Sequence, residues 1–294
     1  MTRWKILTIS IIALIVGILS LNAFVAYKIS HPERRPVSLD PSILGMNYSE
    51  ITFKSGDIKL KGWFIPGDSN ATIVIAHGYG GNKAGCLDYA EFLHKASYNL
   101  LLFDFRAHGE SEGNWTSNGY YESDDIIAAV NYLKENFSTY AEKIGVLGIS
   151  MGGKAAIIAS AKTEEIDAVV ADSAPAGFIE SMNLRERVGM KSSKVISLFV
   201  IEDLVSYLYE LQTGISEDRN KALNYVDRMN SAMLIIHGDK DRIVPVKDAY
   251  LLYERAKGPK SIWIVNNTGH HGAHQWHRVE YEGNVIRFFD LHLK

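Results

Sequence analysis

The residues best suited to chemistry lie in three short stretches. The first is Gly148-Ile149-Ser150-Met151-Gly152, followed by Gly153. A β-rich run, Lys143–Leu147, precedes it, and an Ala-rich helical pattern from Met151 to Lys162 follows. Gly-x-Ser-x-Gly is common by chance. Between a strand and a helix, however, it describes a nucleophile elbow, a strained turn that exposes the serine at the edge of a sheet. Small residues two places before and after permit the sharp turn. The amides at the helix start favour developing negative charge beside the serine. The plainer alternative is a glycine-rich helix start without chemistry.

A serine hydroxyl is a weak nucleophile, so it needs a base, and the base needs a group that orients it. The other two stretches supply candidates. After the apolar run Ala232–Ile236 comes His237-Gly238-Asp239-Lys240-Asp241-Arg242-Ile243-Val244-Pro245. After Lys260–Val265 comes Asn266-Asn267-Thr268-Gly269-His270-His271. Both follow β-rich runs, so in a parallel sheet they emerge at the edge where the serine sits. The order along the chain is Ser, Asp, His.

The elements that must position these residues follow from the apolar pattern. Ile51–Lys54 and Ile58–Ile65 flank Ser55-Gly56-Asp57, a hairpin signal. Ala71–Ala76, Asn99–Phe105, Lys143–Leu147, Ile166–Ala171, Ala232–Ile236 and Lys260–Val265 are runs apolar on both faces, as strands of a covered parallel sheet are. Helical patterns lie between them, at Lys83–Lys95, Tyr120–Asn136, Met151–Lys162, Pro245–Lys257 and Ala273–Leu291. The alternation predicts an α/β fold with a mostly parallel sheet and an antiparallel N-terminal hairpin. Between Asp172 and Ala232 the chain is longer than a crossover needs. It is helical in character, with Phe and Tyr on an apolar stripe (Val195–Leu211), and reads as a helical cap inserted over residues 176–230.

With these motifs in hand, residues 50–294 resemble an α/β-hydrolase of the serine esterase and serine aminopeptidase-like branch. Four motifs stand in that family's order: His77-Gly78-Tyr79-Gly80-Gly81, Asp104-Phe105-Arg106-Ala107-His108-Gly109-Glu110-Ser111, the elbow, and the Asp–His pair. The resemblance implies Ser150 as nucleophile, Asp241 as the acid and His270 as the base. Asp239, a turn residue, and His271 are the alternatives. It also implies an oxyanion hole made by the backbone N–H groups of Met151 and Tyr79. Asp104, Arg106 and His108 take a loop-packing role by the same resemblance, with Ala107 where glycine is usual.

Two rival chemistries are weaker. The HGYGGNK stretch has Lys83 where a dinucleotide loop needs glycine, and no Gly-Lys-Ser/Thr follows. His270, His271, His274 and His277 are spaced as zinc ligands could be, but no acid is interleaved. They read as one catalytic histidine and three partly exposed ones. No metal or organic cofactor is expected. Cys86, the single cysteine, excludes an internal disulfide and reads as a buried packing residue.

The N-terminus has a different character. Ile6 to Tyr27 carries no charge. At 1.5 Å per residue it makes roughly 33 Å of helix, enough for a hydrocarbon core of about 30 Å. It is longer than a signal-peptide core and has no Ala-x-Ala site. Residues 1–28 are therefore expected to be a retained single-pass anchor, with the protein secreted if they are cleaved. Residues 29–49, with three prolines, read as a stiff linker. Arg3 and Lys5 favour a short inner terminus and a catalytic domain outside the cytoplasm.

The chain's net charge of −3 divides into +3 over residues 1–28 and −6 beyond. This argues against nucleic-acid partners. The expected partners are a small-molecule acyl substrate and, through the N-terminal helix, the membrane. The expected function is hydrolysis of carboxylic-ester substrates through an acyl-enzyme. Peptide or amide hydrolysis, thioester hydrolysis, acyl transfer and a catalytically inactive binding module are the alternatives.

Overall fold

The computed structural model describes residues 3–178 and 199–294. Eight strands form one sheet: β1 (Ser49–Ser55), β2 (Ile58–Ile65), β3 (Ala71–Ala76), β4 (Asn99–Phe103), β5 (Lys143–Ile149), β6 (Ala168–Asp172), β7 (Ala232–Gly238) and β8 (Lys260–Val265). Their order is β1-β2-β4-β3-β5-β6-β7-β8. β1 pairs with β2, and β2 with β4, antiparallel; the remaining neighbours are parallel. The antiparallel hairpin thus forms one edge of a mostly parallel sheet.

The helices among the described residues are α1 (Arg3–Ser30), α2 (Leu87–Lys95), α3 (Tyr120–Asn136), α4 (Met151–Ser160), α5 (Glu202–Thr213), α6 (Lys247–Arg255), α7 (Gly272–Trp276) and α8 (Arg278–Leu293). The central strands are apolar on both faces because both faces are covered. Val74, Leu101 and Val146 point to a core shared with α3, α4 and α6. Their neighbours Ile73, Leu100 and Leu147 point to a second core under α2 and α8. This is the period-2 alternation of a pleated sheet with two buried sides.

A third cluster joins the N-terminal helix to the domain. Val25, Ala26 and Ile29 of α1 are buried against Phe178 and against Val205 and Tyr209 of α5. Burying a Val or Ile side chain contributes roughly 1.5–3 kcal/mol. The expected cap (176–230) is described only at 176–178 and from residue 199 onward; residues 179–198, with part of its aromatic stripe, lie outside the described residues.

The segment 29–49 lies against the domain. One guanidinium nitrogen of Arg34 donates to the carbonyls of His108 (3.1 Å), Gly109 (2.9 Å) and Ser111 (2.6 Å), and the other to that of Gly113 (2.6 Å). Asn82 donates to the carbonyls of Arg35 and Pro36. Met46 joins the core under α2.

Candidate active site

Ser150 sits between β5 and α4 with φ +54° and ψ −113°, a conformation that L residues rarely adopt and that needs support from its surroundings. The support is close backbone packing. A Cβ on Gly148 would collide with the Gly152 backbone, and one on Gly152 with the carbonyl of Ala76 in β3. The Ser150 N–H donates to the Asp172 carbonyl at the end of β6 (2.8 Å), and its own carbonyl accepts from Lys154 N (3.1 Å). The elbow is therefore pinned between two neighbouring strands.

His270 and Asp241 reach the same edge from the loops after β8 and β7. With the proton on Nδ1, an assignment made from the hydrogen-bond network, the His270 ring donates to Asp241 Oδ2 at 2.7 Å. Its Nε2 then accepts from the Ser150 hydroxyl at 2.9 Å. Asp241 Oδ1 accepts from the amides of Ile243 (2.8 Å) and Val244 (2.9 Å). Burial pushes the Asp241 carboxyl up. The hydrogen bonds from His237 and His270, with the attraction of His270, outweigh it and hold the group well below the usual carboxylate range. Asp241 stays ionised beside the imidazole.

The alternatives stand elsewhere. Asp239 accepts from Thr268 N at 3.3 Å. His271 has φ +40° and donates its backbone N–H to Ser173 Oγ. Ser173 in turn donates to Asp172, which also accepts from the Tyr281 hydroxyl. This chain ties the His270 loop to the end of β6. His274, expected partly exposed, is buried, because its ring stacks on Tyr89 at 4.6 Å. Among the described residues no group of three His, Cys, Asp or Glu is placed to hold a metal. Cys86 is buried.

The loop after β3 lies beside Ser150: a Cβ on Gly78 would stand 3.4 Å from Ser150 Cβ. His77 shapes it. Its Nδ1 donates to the Gly78 carbonyl (2.7 Å), and its Nε2 accepts from Phe105 N (3.0 Å). Burial drives His77 down to about 4 and His108 down to about 3, so both rings are neutral. The Lys83 ammonium is buried against Asp104 and Glu110, each at 2.6 Å. Asp104 also accepts from the amides of Lys83 and Glu110, and Arg106 pairs with the buried Asp125. Met151 opens α4, where a helix supplies no acceptor for its amides.

Three contributions were not read from the sequence. His237 makes a second approach to Asp241 (3.3 Å); its place four residues before Asp241 is the signal that could have found it. The Tyr79 hydroxyl donates to the carbonyl of Lys28 in the last turn of α1 (2.5 Å). Asn118 lines the recess beside Ser150, with Met151, Lys154, Pro175, Ile243 and Val244, and donates to the Ile29 carbonyl (2.9 Å). Backbone acceptors leave no mark in a sequence.

Comparison with known proteins places this geometry among hydrolases. The sequence pattern of the prolyl oligopeptidase family matches residues 89–294. The uncharacterised protein YqkD of Bacillus subtilis is 30% identical over 234 residues, covering 79% of this chain and 75% of that one. The structure of the Pyrococcus furiosus esterase Pf2001 is similar with a TM-score of 0.79 at 30% identity, over 91% of this chain and 99% of that one. The Pyrococcus horikoshii acylaminoacyl peptidase shares the fold at 18% identity, with a TM-score of 0.65 over 85% of this chain and 42% of that one.

Proposed function

The chain belongs to the prolyl oligopeptidase family and is a serine-hydrolase-type α/β-hydrolase; from that premise we propose that it cleaves carboxylic esters through Ser150, His270 and Asp241. The observation that carries this reading is the hydrogen-bonded line Ser150–His270–Asp241 at the C-terminal edge of the sheet. Ser150 Oγ attacks the acyl carbonyl while His270 Nε2 takes its proton. Asp241 holds the imidazole tautomer and stabilises the cation. The amides of Met151 and Tyr79 receive the oxyanion, an interaction worth roughly 3 kcal/mol or more per donor. The C–O bond breaks, His270 returns the proton to the leaving alcohol, and water, deprotonated by His270, releases the acid. Residues 1–28 anchor this domain to a membrane, with residues 29–49 as the connection and the chain from 176 to 230 as a cap.

Amide cleavage is the second reading, favoured by the family's description. A fluorophosphonate probe on the full chain tests the nucleophile. Wild type is labelled and hydrolyses a short acyl ester, and Ser150→Ala loses both, with turnover down by roughly 10⁴-fold or more. Labelling that survives Ser150→Ala sinks the assignment. A panel of matched esters, amides and thioesters ranks the substrate class.

A further inference from the structure

The last turn of α1 is fastened to the wall of the active site. Its carbonyls at Lys28, Ile29 and Ser30 accept from the Tyr79 hydroxyl, the Asn118 amide and the Thr116 N–H. A helix leaves these carbonyls without internal partners. Here the partners come from the loop beside Ser150 and from the rim of its recess.

Helix α5 lies across α1 one turn earlier. At one end, Ile201 N donates to the Asn22 side chain (2.8 Å), which donates to the Phe199 carbonyl (2.8 Å). At the other end, Gln212 reaches the Ala23 carbonyl (3.3 Å). Both ends of a twelve-residue helix thus meet α1 at the same level, so α5 crosses it as a bar crosses a shaft. Val205 and Tyr209 face the domain side with Val25, Ala26 and Ile29. Tyr207 and Leu211, about 200° around from them at 100° per residue, face the other way and are 59% and 64% exposed. Leu204, Tyr207 and Leu211 form an i, i+3, i+7 stripe, beside which Leu208 packs partly against the cluster shared with α1. Before the bar, residues 6–21 of α1 are uncharged and largely exposed.

We propose that the enzyme takes its substrate from the bilayer: an acyl amphiphile whose chain stays among lipid beside α1 and the outer face of α5 while its ester reaches Ser150. This rests on the serine-hydrolase reading above and names its substrate class. Residues 3–21 of α1 give roughly 28 Å of helix, the thickness of a hydrocarbon core. The bar of α5 then lies at the interface, with its apolar stripe toward lipid. From Asn22 to Ile29 is only about 10 Å along the helix axis. The recess beside Ser150 therefore opens close to the headgroups, and α1 is a working wall of the site.

The test uses the full chain in phosphatidylcholine vesicles, with a fluorogenic long-chain acyl ester in the lipid and the acetyl ester of the same fluorophore in water. The long-chain rate tracks the mole fraction of ester in the bilayer, falling about tenfold when lipid is raised tenfold at constant ester, while the acetyl rate does not move. The double variant Tyr207→Glu, Leu211→Glu lowers the ratio of long-chain to acetyl turnover at least about tenfold. A fluorophore on Leu211→Cys, selective because Cys86 is buried, is quenched by spin-labelled lipid. A long-chain rate indifferent to mole fraction, a ratio within about twofold of wild type, or a label shielded by a second copy instead of lipid overturns the proposal. Acetyl turnover with any of these results leaves the serine-hydrolase reading standing. Loss of turnover on both esters together with loss of fluorophosphonate labelling removes both.

Discussion

Helices α4 and α1 are both mostly apolar, with Lys154 the one charged residue of α4, yet they meet opposite surroundings. Every residue of α4 from Met151 to Ser160 is buried. On α1 the large apolar residues from Ile6 to Leu19, the half-buried Ile18 apart, are about half exposed, between 45% and 56%. The difference lies in side-chain size. In α4, Gly152 and Gly153 let strands approach to backbone contact, and a Cβ on Gly153 would stand 2.9 Å from Ala174 Cβ. In α1, Gly17 has nothing within 4 Å of where its Cβ would be, and its neighbours are Ile, Leu and Val. An apolar helix specifies apolar surroundings; small residues suit it to a protein interior, and bulky branched ones to lipid.

Charge placed in each helix is the strongest way to break this contrast. Ala156, at 0% exposure in α4, lies in the hydrophobic core with Ala155, Ile157 and Ala159. Ala156→Asp is expected to cost more than about 4 kcal/mol and to abolish cooperative thermal unfolding near the wild-type temperature. A melting temperature within a few degrees of wild type would show that α4 is not the core the contrast requires. Ile12→Asp in α1 should leave the melting temperature of the detergent-solubilised chain unchanged. It should lower insertion by about 2.5–3.5 kcal/mol, seen as a shift of the protein from membrane pellet to supernatant on carbonate extraction. Full retention in the pellet would show that this shaft is not what holds the protein to lipid. The smallest effect sharpens the point where α1 meets the site. Tyr79→Phe keeps the ring and the backbone amide but loses the hydrogen bond to Lys28, worth about 1 kcal/mol. We expect kcat to fall about three- to tenfold with KM within about twofold. An unchanged kcat would free the loop from dependence on the helix.

Much of the domain is legible in the sequence because its signals are local. Each of the eight strands coincides with a β-rich run, and the central ones with runs apolar on both faces, as double-sided burial requires; β1, at the edge, alternates buried and exposed residues. The run expected to reach Phe105 ends at Phe103 because Phe105 N leaves the sheet to donate to His77. The helix expected to reach Lys162 ends at Ser160. The single helix expected over Ala273–Leu291 is two, parted at His277, whose φ of −127° is not helical. Ser150, Asp241 and His270 are legible because each follows a strand end, and strand ends share one edge. The fastening of residues 22–36 is not. Its acceptors are main-chain carbonyls, identical in every residue, and its donors Tyr79, Thr116 and Asn118 lie far along the chain. Arg34 counted as linker charge, yet its guanidinium gathers four carbonyls.

The bond between Asn22 and Ile201 spans 179 residues. At about 5–20 residues per second of synthesis, roughly ten to forty seconds separate the birth of its two partners. Asn22 Oδ1 waits through that interval for Ile201, whereas the carbonyls of Lys28, Ile29 and Ser30 wait only for Tyr79, Asn118 and Thr116. The wall that α1 gives the recess beside Ser150 is therefore completed late, when the chain at Ile201 reaches back to a helix made well before it.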